Sequence, residues 1–164
     1  MVATETHHRL NIMQSFRTGF DAMSAFNETL EQTASLPRGL HELLHLRASI
    51  LNGCSYCIDM HSKNLAALGD TPQRSFAVAA WQEAPFYTDA ERAALALTDA
   101  LTILQGSRVD DAMIQACGEH YTADQINEIV YSVIVINGWN RLMRADNGLA
   151  GRYEPPADFG SKGS

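Results

Sequence analysis

Residues 52–61, NGCSYCIDMH, bring together two cysteines three positions apart and a histidine four positions beyond the second. Three chemistries suit such a set. Two thiolates and an imidazole can hold a metal ion such as zinc. The sulfurs can instead cycle between dithiol and disulfide, or both can serve as small buried hydrophobes, a common fate of free cysteine. On a helix turning about 100° per residue, Cys54, Cys57 and His61 fall within an arc of about 60°, with Ile58, Leu65 and Leu68 on the same side. Ser55, Asp59, Ser62 and Lys63 take the opposite side. Cys57 and His61 are then neighbours on successive turns. Cys54 lies at the helix N-terminus, where the macrodipole favours a thiolate. His61 can take a proton from Cys57, and two cysteines one turn apart can close a disulfide with little backbone movement.

The preceding helix offers further groups. Glu42 lies on the boundary of an apolar arc containing Leu43, Leu46, Ala48, Ile50 and Leu51. A carboxylate half against apolar side chains can have a raised pKa and exchange protons near neutrality. Arg47, inside that arc, reads as one half of a structural ion pair. His41 and His45 share the polar arc and are expected to face water or a partner subunit. A zinc site would use Cys54, Cys57 and His61 with His45 or Glu42 as a fourth ligand. Structural zinc sites usually join two separated knuckles, and no second Cys/His cluster is present. Cys117 reads as a packed core cysteine. Trp81, Trp139 and Arg141 read as structural, His7 and His8 as part of a frayed N-terminus, and His120 as a helix-end residue. Asn137, Asn140 and Arg141 are polar groups at the end of a buried helix and need partners.

The elements that must position these residues are helical throughout. Phe16, Phe20, Met23 and Leu30, with Asn27 in the same row, predict an amphipathic helix over about residues 13–33. Pro37 opens a second helix that ends at Asn52-Gly53, where glycine suits the cap. A third begins at or near Cys54 and ends at Gly69, and Thr71-Pro72 starts another. Thr88 with Glu91, and Thr122 with Gln125, form capping boxes ahead of two longer helices, over about residues 89–104 and from 123 to Arg144, separated by a short helix over about 109–120. The last of these is rich in β-branched residues, but its length favours a helix over a strand. The tail GLAGRYEPPADFGSKGS reads as mobile or draped over a neighbour. The expectation is one all-α domain spanning residues 1–164, a bundle of about six or seven helices with its core over about 13–145 and its mobile tail over about 148–164.

The chain has 164 residues, 46% apolar and 19% charged, ample for one buried core without staples. Its net charge of −7 argues against nucleic acid or an anionic membrane as partner. No apolar run could serve as a signal peptide or span a bilayer, so a cytoplasmic location is the default. Three cysteines are too few for a secreted disulfide framework.

Glu42, eleven residues, Cys54, two residues, Cys57, three residues and His61 form a pattern that resembles the AhpD-like alkylhydroperoxidases of the carboxymuconolactone decarboxylase superfamily. The segments NGCSYCIDMHSKNL, AAWQEAPFYTDAERAALALTDALT and VINGWNRL are similar to an AhpD-related subgroup, so the resemblance spans about residues 30–145. It implies an all-α thiol peroxidase that forms homo-oligomers and reduces organic hydroperoxides. By position, Cys57 would be the attacking thiolate, Cys54 the resolving thiol, and His61 with Glu42 the proton relay. An external dithiol system would reopen the disulfide, and no metal or organic cofactor is implied. Tyr56 stands where better-studied members often carry a further histidine. Members that decarboxylate lactones lack the cysteine pair, so that activity is not expected. The alternative is a non-catalytic redox-sensing or metal-binding oligomeric module.

Overall fold

The helices that open at Ser55, Pro72, Asp89, Asp111 and Ala123 begin where an N-cap side chain accepts from an orphan N–H, whereas those at Arg17 and Arg38 have no such cap. A computed structural model describes residues 8–106 and 108–160; His7 lies outside them. The described residues form seven α-helices and no strand. These are α1 (Arg17–Thr33), α2 (Arg38–Asn52), α3 (Ser55–Ala67), α4 (Pro72–Ala77), α5 (Asp89–Thr102), α6 (Asp111–Gly118) and α7 (Ala123–Asp146), with a 3₁₀ turn at Val78–Ala80 after α4. Both expected capping boxes are present, Thr88 with Glu91 on α5 and Thr122 with Gln125 on α7. The β-branched run in α7 is helical, because packing of a long apolar element overrides a weak local propensity.

α2 is the axis of the fold and packs against α3, α5 and α7. Leu43, Leu44 and Leu46 of α2 meet Leu65 of α3, Leu95 and Leu97 of α5, and Ile129 and Val133 of α7 in one core. Arg47 crosses this core as an ion pair: its Nε and Nη2 donate to Asp99 at 2.6 and 2.8 Å, and Nη1 donates to the Val78 and Ala79 carbonyls. Trp81 Nε1 donates to the same Asp99, and Cys117 is fully buried in the core.

α7 is central without being enclosed, since Tyr131 and Ile134 are each half exposed. α1 has no buried residue; Phe16 is exposed, and Phe20 packs edge-on against Trp139 of α7 at 5.6 Å. At Gly138 of α7 a Cβ would meet the terminal methyl of Met23, which would have to shift. The C-terminal segment runs across α2 and α3. Gly151 N–H donates to Asp59, Lys63 donates to the Tyr153 carbonyl at 2.7 Å, and Phe159 is buried beneath the Arg38 guanidinium.

Candidate functional site

The α2–α3 junction delivers the two cysteines. α2 ends at Gly53, whose φ of 66° places it in the left-handed region that favours glycine. The chain then reverses, so that Cys54 becomes the N-cap of α3 and its Sγ accepts from the Cys57 N–H at 3.4 Å. A polar clamp holds the end of α2 in place. Asn52 Nδ2 donates to Asn137 Oδ1 and Asn140 Oδ1 of α7, and Asn140 donates back to Ser49. Asn137 also donates to Thr102 of α5 and accepts from Arg141. The NGWNRL polar groups therefore find their partners within the chain, next to the turn that carries Cys54.

Cys54 and Cys57 are joined by a disulfide with Cα atoms 5.4 Å apart, and each residue is 1% exposed. One turn further along α3, His61 Nδ1 donates to Glu42 Oε2 at 2.6 Å across the α2–α3 interface. Asn64 Nδ2 donates to the same oxygen at 3.1 Å, and Asn64 Oδ1 accepts from the Tyr153 hydroxyl at 2.8 Å. Glu42 is thus enclosed, which corrects the boundary placement expected from the helical pattern. Its pKa is lowered, not raised. Burial alone would push it up, but the adjacent His61, then His45 and the Asn64 amide, outweigh burial. Glu42 is therefore a carboxylate at neutral pH.

That carboxylate fixes the His61 tautomer. With Nδ1 donating to Glu42, the neutral ring presents Nε2 as an acceptor. Among the described residues, His61 Nε2 is the one buried side-chain nitrogen or oxygen without a hydrogen-bond partner. An unpaired buried polar atom is costly and calls for a functional explanation. Of the four residues singled out by spacing, Glu42 and His61 form one buried pair and Cys54 and Cys57 a buried disulfide one turn earlier on α3.

His41 and His45 are half-buried and meet α7 through hydrogen bonds to Glu128 and Ser132. His45 Nε2 lies 2.8 Å from Ser132 Oγ, and its ring meets the His61 ring edge-on at 4.9 Å. Burial first, then the neighbouring His61, pushes the His45 pKa down to about 3, so this imidazole is neutral. Donor atoms of Glu42, His45 and His61 lie within 4.8 Å of one another. Such a trio resembles a metal-ligand set. Here the Glu42 Oε2 is engaged by His61 and Asn64, His45 Nε2 is engaged by Ser132, and both sulfurs are bonded to each other. Sequence reasoning missed Asn64, Ser132 and Tyr153. A polar residue three positions after His61 on the apolar stripe, and a lone serine inside an apolar helix, were the signals available.

A match to the carboxymuconolactone decarboxylase family model covers residues 19–100. The chain belongs to this family. A relative from Bacillus subtilis, the uncharacterized protein YdfG, is 37% identical over 115 residues, covering 70% of this chain and 78% of its own. A solved structure from Agrobacterium tumefaciens, of unknown function and described as an AhpD antioxidant-defence protein, is 30% identical with a TM-score of 0.83, covering 89% of this chain and 99% of its own. A peroxidase-related protein with an AhpD core from Ralstonia eutropha JMP134 shares the fold at 23% identity and a TM-score of 0.74, over 91% of this chain and 76% of its own. The family assignment and the all-helical, AhpD-like fold agree with the resemblance carried by the Glu42–His61 pattern. No helix among the described residues is long and apolar enough to cross a membrane.

Proposed function

We propose that this protein is a thiol-dependent alkylhydroperoxidase that reduces organic hydroperoxides through a Cys54/Cys57 dithiol–disulfide cycle. The observation that carries this reading is His61 Nε2: buried, unpartnered, turned into an acceptor by Glu42, and one helical turn from Cys57. In the reduced protein this nitrogen accepts the Cys57 proton and pairs with the thiolate. The thiolate attacks the distal oxygen of the hydroperoxide, the O–O bond breaks, and the leaving alkoxide takes the proton from His61. Cys57 is then a sulfenic acid. Cys54, held at the N-cap of α3, condenses with it, forming the S–S bond and releasing water. A dithiol donor reopens the bond by exchange and leaves as its own disulfide. In this reading the protein works in the cytoplasm as a homo-oligomer, without metal or organic cofactor.

The test is a free-thiol count with intact mass on reduced protein, before and after one equivalent of cumene hydroperoxide. Loss of two thiols and about 2 Da, reversed by dithiothreitol, is expected of this couple. Cys57→Ser should abolish hydroperoxide consumption, and Cys54→Ser should leave a Cys57 sulfenic acid that dimedone traps. Full consumption by Cys57→Ser, or three thiols still titrating in the wild type, overturns the assignment.

A further inference from the structure

The C-terminal segment is anchored on both sides of Tyr153. Before it, the Gly151 N–H donates to Asp59 Oδ2 at 2.9 Å, from a left-handed backbone with φ of 90° that favours glycine. Lys63 donates to the Tyr153 carbonyl at 2.7 Å and to Asp59 at 3.3 Å. Beyond it, the Arg38 guanidinium carbon lies 3.6 Å from the centre of the Phe159 ring, and Arg38 Nη1 donates to the Phe159 carbonyl. Gly160 passes so close to α3 that a Cβ would lie 2.6 Å from the Ala67 carbonyl oxygen. Pro155 and Pro156 restrict the backbone in between. The Tyr153 phenol is therefore held at one point beside α3.

There it meets Asn64, which is 4% exposed. Burying a primary amide is costly unless both of its ends are paired. Here they are: Nδ2 donates to Glu42 Oε2 at 3.1 Å, and Oδ1 accepts from the Tyr153 hydroxyl at 2.8 Å. These partners leave the amide one orientation. Glu42 is a carboxylate and only accepts, so the NH2 group must face it. The carbonyl then faces Tyr153, whose hydroxyl must donate. Burial first, then the Glu42 charge, push the Tyr153 pKa up, so the phenol keeps its hydrogen at neutral pH.

The consequence falls on Glu42. His61 and Asn64 are one turn apart on α3, and both donate to the same oxygen, Oε2. A carboxylate held by one donor is free to turn about its last C–C bond; a second donor on that oxygen fixes it. If the amide turned over, its carbonyl would oppose the carboxylate and the second donor would be lost. Tyr153 prevents this by giving the carbonyl its own partner.

We propose that Tyr153 and Asn64 are positioning residues of the dithiol site: the anchored tail fixes the Asn64 amide, which holds the Glu42 carboxylate as acceptor for His61 Nδ1 and so keeps His61 Nε2 an acceptor. This rests on the redox reading of the cysteine pair, in which His61 serves Cys57, but not on hydroperoxide as the oxidant. The groups facing Glu42 are His45 on its own helix, His61 and Asn64 on α3, and Tyr153 on the tail. On α7, Ser132 and Glu128 are engaged by His45 and His41, and on α5 Asp99 is engaged by Arg47.

The test uses the full chain in both redox states. In the disulfide form, carbon NMR follows the Glu42 carboxyl through its titration, and nitrogen NMR reads the His61 tautomer. In the reduced form, peptide mass follows the alkylation of Cys57 by iodoacetamide at about pH 7. Asn64→Ala should raise the midpoint of the Glu42 titration by about one pH unit, the low end for a hydrogen bond to a charged group. Tyr153→Phe should raise it about half as far, because a neutral hydrogen bond is about half as strong. It should also increase the Nε2–H tautomer of His61 and slow Cys57 alkylation at least about twofold. Because Tyr153 acts through Asn64, the double variant should match Asn64→Ala in all three readouts. A hydroxyl that serves packing alone predicts a lower thermal midpoint with all three readouts as in the wild type. That result, or double-variant shifts equal to the sum of the single ones, would overturn the assignment; should Asn64→Ala fail to fold, Tyr153→Phe decides alone. None of these readouts uses hydroperoxide, so a wild type that leaves cumene hydroperoxide unconsumed refutes the peroxidase reading without touching this one.

Discussion

Replacing Glu42 by Gln removes one charge from the buried cluster while keeping shape and one acceptor oxygen. In the native protein, Oε2 accepts from His61 Nδ1 at 2.6 Å and from Asn64 at 3.1 Å, with side-chain exposures of 5% for His61 and 10% for Glu42. A hydrogen bond to a charged group contributes about 1.5–3 kcal/mol, against about 0.5–1.5 kcal/mol for a neutral pair. In the proposed mechanism the difference, about 1–2 kcal/mol, is the support that Glu42 would lend to a protonated His61 ring and so to the Cys57 thiolate. At about 1.4 kcal/mol per decade, the variant should react about five- to thirtyfold more slowly. The assay is stopped-flow oxidation of the pre-reduced protein by cumene hydroperoxide near pH 7, with the thermal midpoint measured alongside. A Glu42→Gln rate within twofold of wild type, in protein that melts normally, would refute the reasoning and remove Glu42 from the relay.

Other consequences can be checked by stability measurements. Asp99→Asn leaves the Arg47 guanidinium buried without its counter-charge; breaking such a pair costs about 3 kcal/mol, so the thermal midpoint should fall by roughly 6–12 °C. Thr122→Ala removes the hydroxyl that accepts from the Gln125 N–H at the start of α7 and should cost about 1 kcal/mol in urea unfolding. Glu42, Glu128 and Asp146 all have lowered pKa values, so each binds its proton more readily in the unfolded chain. Their stabilisation is complete above the unfolded values and is lost as pH falls through the folded ones. Urea-unfolding free energy should therefore decline below about pH 4.5, the ordinary glutamate value, and less steeply in Glu42→Gln.

Much of the architecture could be read from local signals, because helix ends are decided by local chemistry. The hydroxyls of Thr88 and Thr122 and the left-handed turn at Gly53 act within a few residues of themselves, and their helices begin or end as expected. Cys54, Cys57 and His61 share one face of α3 because a helix has a fixed period. Their mutual proximity needed no tertiary information.

The state of Glu42 and the place of His41 and His45 belong to a different class of fact. A helical projection shows which residues share a face, but not which element covers it. The polar arc of α2 looked like a solvent face until α7 proved to lie against it with Ser132 and Glu128 in register. The sign of the Glu42 shift turned on that same packing, since burial and an adjacent imidazole act in opposite directions and their balance depends on a 2.6 Å contact. Local periodicity and capping determined the helices and the row of sulfur and imidazole on α3. Tertiary packing decided how the carboxylate, the second imidazole and the serine gather around that row, because interactions between distant segments depend on distances that no spacing along the chain contains.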